Sequence, residues 1–138
     1  SAPAGIALTT PKNIQLSSGH TLTATAGENI DMSIFKRLTV AAGEAISLFA
    51  QKMGVKLFAA RGIVDIQAQT DAIRIQSDKS MNLNSINDEI VLNAAQGITL
   101  TSTGGAYIKI KNGSVEIGAP GKIDLKSASI LWGGSIFT

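Results

Sequence analysis

The chain has no cysteine, which excludes a disulfide framework and any thiolate metal site. A single histidine, His20, is too few for a zinc centre within one chain and offers no context for a Ser-His-Asp set. Aromatic residues are few: Phe35, Phe49, Phe58, Phe137, Tyr107 and Trp132. With 44% apolar residues, that scarcity suits a narrow core of Ile, Leu, Val and Ala. Neither sign of charge dominates. The 12 basic and 10 acidic residues are scattered, so no nucleic-acid footprint emerges. No apolar run approaches the ~18–20 residues of a membrane span, and no basic-apolar-small signal opens the chain. The first residue is Ser1 rather than Met, which reads as an excised piece, and residues 1–5 read as the end of a linker.

A repeated triplet fills the rest. Leu38-Thr39-Val40, Ile46-Ser47-Leu48, Val55-Lys56-Leu57 and Val64-Asp65-Ile66 each run apolar, polar, apolar. Starts fall at 6, 14, 22, 30, 38 and 46, then at 55, 64, 73, 81, 90, 98, 108, 115, 123 and 130, sixteen in all. Thirteen of the sixteen middle residues are polar, the mark of strands with one buried face. A helix of period 3.6 would not hold the pair at i and i+2 on one face throughout. Repetition at so short a period predicts a solenoid or a fibre shared between chains. The triplet ends Ile46, Leu48, Val55, Leu57, Val64, Ile66, Ile73 and Ile75 are the expected core.

Two positions beyond each triplet the alternation also points inward, and thirteen of fifteen such residues are Ala, Ser or Thr. Small residues there imply backbone crowding at a corner. The next position often turns the chain, as at Pro11, Gly19, Gly27, Gly43, Gly113 and Pro120. The period breaks at Ser33-Ile34-Phe35, between Ser102 and Tyr107, and at Lys111-Asn112-Gly113-Ser114. Asn-Gly between alternating strands signals a hairpin; a corner of a tighter coil is the other reading. One domain is expected, with regular octads over 6–100 and a less regular distal part and tip over 101–138.

Chemistry is sparse. His20 sits at a corner, either as a ligand on a symmetry axis or as a plain exposed residue. Asp31, Asp65, Glu116 and Asp124 occupy outward positions at different levels, which suits a solvated face better than a catalytic pair. Gly118-Ala119-Pro120-Gly121-Lys122 lacks the spacing of a phosphate loop, and Ile123 stands where Ser or Thr is needed. Asn112-Gly113-Ser114 fits a glycosylation sequon but suits a turn better. No catalytic, cofactor or metal site is predicted. At the chain end Leu131, Trp132, Ile136 and Phe137 form an apolar cluster. It serves either to plug the open end of the stack or to dock a partner.

Blocks such as Thr21-Leu22-Thr23-Ala24-Thr25-Ala26-Gly27, Ala42-Gly43-Glu44-Ala45-Ile46-Ser47-Leu48-Phe49-Ala50-Gln51-Lys52, Val64-Asp65-Ile66-Gln67-Ala68-Gln69 and Gly105-Ala106-Tyr107-Ile108-Lys109-Ile110 resemble the C-terminal β-helical domain of VgrG, the spike protein of the bacterial type VI secretion system. The resemblance covers nearly the whole chain and rests on the order and spacing of the blocks. It implies an all-β, three-sided parallel β-helix or prism wound from three chains. It implies a non-enzymatic, homotrimeric needle that crosses a target membrane mechanically. The N-terminal end would join the rest of the spike, and the distal end would take a PAAR-type tip protein or a toxic effector. Such a needle would assemble in the bacterial cytoplasm and then be secreted into the medium or a target cell. The rival reading is a single-chain β-solenoid, either an enzyme or an adhesin acting on polysaccharide; three eight-residue faces per coil would fit it too. The missing carboxylate cluster and the missing aromatic platform weigh against it.

Overall fold

The computed structural model of the chain describes residues 4–135. Among them there is no helix; regular secondary structure is confined to three short strands. The chain divides into two units, residues 1–65 and 66–138.

In the first unit the described backbone runs as extended segments separated by bends at 11, 19, 27, 35, 43, 51 and 60. Each bend falls five residues after a triplet start, so the predicted corners are real corners. Two of them, in the steps from 46 to 55 and from 55 to 64, carry one extra residue. Those corners contain Gly54 and Gly62, whose φ values of 93° and 84° lie in the left-handed region, where a side chain would clash with the following carbonyl. The small residues just before the corners do more than relieve crowding. Thr10 Oγ1 accepts the amide of Lys12 at 3.1 Å, and Ser18 Oγ accepts that of His20 while donating to the carbonyl of Thr21 at 3.0 Å. A hydroxyl two residues before the turned amide closes the corner locally.

The second unit continues the pattern, with bends at 69, 78, 86 and 95. Ser77 and Ser127 repeat the hydroxyl closure on the carbonyls of Lys79 and Ser129. Then the chain reverses. Strands β1 (Gly97–Thr101), β2 (Tyr107–Lys111) and β3 (Ser114–Gly118) form an antiparallel meander in that order. Asn112 and Gly113 sit at φ 54° and 75°, the two positive angles of the tight turn that Asn-Gly favours. The hairpin reading is therefore the one observed. The preceding reversal spans Ser102 to Ala106 and is closed by Ser102 N–H to Ala106 C=O and Gly105 N–H to Ser102 C=O, both 3.1 Å. The antiparallel excursion is wider than the Asn-Gly turn alone, because the triplets at 98, 108 and 115 all pair antiparallel within one chain. The sheet also begins at Gly97, inside the stretch expected to hold regular octads.

No described side chain is buried. The chain exposes 15425 Å². A folded monomer of 14.3 kDa would expose about 6800 Å² and the same chain unfolded about 20700 Å². Taken alone, the described residues form no core.

Candidate functional site

The predicted core residues Ile46, Leu48, Val55, Leu57 and Val64 of the first unit, and Ile66, Ile73 and Ile75 of the second, are all 51–75% exposed in the isolated chain. Within these four triplets the first residue is the better covered: Ile46 is less exposed than Leu48, Val55 than Leu57, Val64 than Ile66, and Ile73 than Ile75. Apolar residues at outward positions are barer still, with Phe49, Phe58 and Met53 at 89%, 89% and 91%. The triplet ends are thus less bare than these three apolar neighbours. In the first unit a gap of about 1220 Å³ separates Thr10–Gln15 from Ser33–Arg37. No strand of this unit fills it, and the backbone edges along it carry no ladder among the described residues.

Three octads would complete one circuit of a three-sided coil. The segments flanking the gap lie nearly three octads apart in sequence. In such a coil they would stand one circuit apart, with room between them for strands from elsewhere.

In the second unit the meander sorts its faces cleanly. Ile98 faces Ile110, Leu100 faces Ile108, Ile108 faces Ile117 and Ile110 faces Val115 across the strands. Leu100, Ile108 and Ile117, with Ile123, line a hollow of about 400 Å³. The other face carries Thr99, Tyr107, Lys109 and Glu116. Lys109 stands opposite Glu116 in register, and its ammonium lies 5.9 Å from the centre of the Tyr107 ring. The Glu116 carboxylate raises the Tyr107 phenol above its ordinary range, first through its charge, with desolvation and a hydrogen bond adding to it. The ring also lies over Gly118, its cross-strand partner, where an added Cβ would come within 2.5 Å of ring carbons. Gly118 is thus covered by an aromatic neighbour that any larger residue would displace.

At the distal end Leu131 is 94% and Trp132 84% exposed. Ile136 and Phe137, the other half of the predicted tip cluster, lie outside the described residues. His20 lies at its corner with its amide bound to Ser18. Among the described residues no three His, Asp or Glu side chains come together as a metal site, and no helix is long and apolar enough to cross a membrane. Sequence reasoning missed the outward Phe49, Met53, Phe58 and Ile63. The signal was present, since the alternation that turns Leu48 and Leu57 inward turns Phe49 and Phe58 outward. It also missed the Tyr107–Glu116 contact, because only the hairpin register places those residues side by side.

Residues 1–135 match the family described as "Uncharacterized protein conserved in bacteria (DUF2345)". No curated protein matches the chain. Among solved structures it is similar to the VgrG spike from the type 6 secretion system, at 34% identity and a TM-score of 0.85, over 90% of this chain and 47% of that one. It is also similar to the VgrG spike in a structure of the Tle1 effector bound to that spike, at 35% identity and a TM-score of 0.86, over 91% of this chain and 39% of that one. The chain spans less than half the length of either spike chain. The resemblance to the C-terminal domain of VgrG, read from the octads, is borne out: the chain belongs to the DUF2345 family, a VgrG C-terminal domain, and is all-β.

Proposed function

We propose that the chain is a structural needle segment of a type VI secretion spike, formed by three copies wound about one axis into a three-sided β-prism and acting without catalysis. The exposure of the lone chain is the observation that carries this reading. With 15425 Å² open and no described residue buried, the chain has an apolar stripe and free strand edges but nothing to cover them. Strands from other copies would fill the gap between Thr10–Gln15 and Ser33–Arg37 and pair with its edges. The core residues Ile46 to Ile75 would then meet the same positions of two partners on the axis. A ladder of backbone hydrogen bonds in every layer would make the segment stiff enough to cross a membrane by force.

The N-terminal end would continue into the rest of the spike, and the distal end would receive a PAAR-type tip protein or a toxic effector. The effector-bound spike among the similar structures supports the carrying role. Such a segment would be assembled in the bacterial cytoplasm and leave with the spike. A single-chain solenoid, by contrast, would bury its own stripe and pair its own successive coils.

Light scattering tests the assembly. The expected mass is three times 14.3 kDa down to the lowest readable concentration, because folding and association would be one event. A folded, β-rich species of one chain would overturn the reading and restore the single-chain solenoid.

A further inference from the structure

Between Glu44 and Asp65 the chain carries Lys52, Lys56 and Arg61 and no acidic residue. The same stretch holds Phe49, Met53, Phe58 and Ile63, which are 83–91% exposed. We propose that these seven residues form a lateral docking surface on the side of the needle for an acidic, apolar segment of a carried effector protein. The proposal rests on the carrying role proposed above and adds to it a place and a chemistry.

Strict alternation puts Phe49 and Phe58 at the same outward position of two successive octads. Covering the inner stripe would therefore leave both rings in solvent. The equivalent positions in the other octads before the meander are Thr9, Ser17, Thr25, Ser33, Ala41, Gln67, Gln76, Asn84 and Asn93, so only these two octads carry a ring at that position. Both corners of this stretch carry an extra residue, with Gly54 and Gly62 in the left-handed region. Met53 and Ile63 stand beside those glycines.

Large exposed apolar groups rimmed by charge of one sign mark an interaction site. Aromatic anchors with basic neighbours fit a partner that brings apolar side chains and carboxylates. An anionic membrane would also meet basic charge. However, the phenyl rings stand on extended strand segments, which cannot sink below a headgroup layer as a free amphipathic helix does. Three copies would present the surface three times, so weak single contacts would add.

Site-specific photo-crosslinking tests the proposal with the full chain, carried in its spike in producing cells. Benzoylphenylalanine replaces Phe49, Phe58 or, separately, Trp132, and the crosslinked peptides are sequenced. The expected result is a product at Phe49 and Phe58 whose partner segment is acidic and apolar. In Lys52→Gln/Lys56→Gln/Arg61→Gln, with the assembled mass unchanged, the yield should fall at least about fivefold. Products at Trp132 alone would overturn the lateral surface and leave the carrying role standing. Products at none of the three positions would overturn both. Co-sedimentation with phosphatidylglycerol vesicles that depends on Phe49 and Phe58, with no protein crosslink, would overturn the proposal in favour of a membrane contact.

Discussion

The octads before residue 65 and the meander at 97–118 use one sequence pattern to opposite ends. Both alternate apolar and polar residues, yet the meander pairs its backbone within the chain and the octads do not. Ile108 is 38% exposed, whereas Leu48 is 75% exposed. The difference lies in the connections. Asn112-Gly113 and the reversal at 102–106 send the chain back along itself. A corner five residues after each triplet start turns the chain away before it can pair. Alternation therefore specifies a face, and the connection specifies who covers it.

Breaking the octads should produce the largest effect. In the isolated chain Leu48 and Ser47 are both open, so Asp at either would cost little. In a shared core Leu48→Asp places an unpartnered charge near the axis in every copy, at a cost of several kcal/mol. Ser47→Asp stays within about 0.5 kcal/mol. Thermal melting of the two variants is expected to show a large loss for Leu48→Asp alone. Equal, small losses would mean that the stripe meets no partner. A loss for Ser47→Asp alone would mean that the register is off by one residue.

Breaking the meander should matter less and stay local. Gly113→Val puts a β-branched residue at φ 75°, a strain of roughly 1–2 kcal/mol. Amide hydrogen exchange is expected to speed up across β2 and β3 and to remain unchanged in the octads. Acceleration spreading through both regions would show that they fold as one cooperative unit.

The tip sharpens the contrast, because Leu131 and Trp132 belong to the last triplet and yet lie in none of the three strands. If the cluster docks a partner, Leu131→Ser/Trp132→Ser is expected to leave the melting temperature within about 1 °C. The same variant should weaken binding of a purified tip protein at least tenfold, read by titration calorimetry. A melting loss of several degrees with binding intact would make the cluster a plug for the end of the stack.

The legible part of this structure was the part governed by period. Every corner from Pro11 to Ala95 falls where the triplet spacing puts it, because alternation and corner residues are local and repeat. The triplet ends Ile46 to Ile75 were likewise readable as an alternating set, and their burial in a shared core is the proposal made above. The meander was legible only as an alternative, since Asn-Gly suits a tight hairpin and a coil corner equally until the pairing register is known. The serine and threonine positions were read as crowding, and their hydroxyl closures of the corners were missed. A period reveals that a residue is small but not which amide it accepts. The apolar belt at Phe49 and Phe58 was not legible from the triplets, because it lies one residue beyond them, where the period sets no residue type.

The smallest effect sits on the outer face of the meander and tests its register directly. Tyr107 is the only tyrosine, so absorbance near 295 nm reports its ionisation alone. The Glu116 carboxylate disfavours the tyrosinate and raises the phenol's pKa. A raised value in the folded chain means that Tyr107 adds its share of stability fully below its unfolded pKa of about 10. That share is lost as the pH climbs through the folded value. Glu116→Gln removes the charge, the first cause of the shift, while keeping a side chain that can still bond to the phenol. Its alkaline midpoint is expected to fall below that of the parent chain. If instead the two midpoints coincide, Tyr107 and Glu116 are not neighbours. The pairing of Tyr107 with Gly118 and of Lys109 with Glu116 would then have to shift, and with it the antiparallel sheet that sets this region apart from the octads.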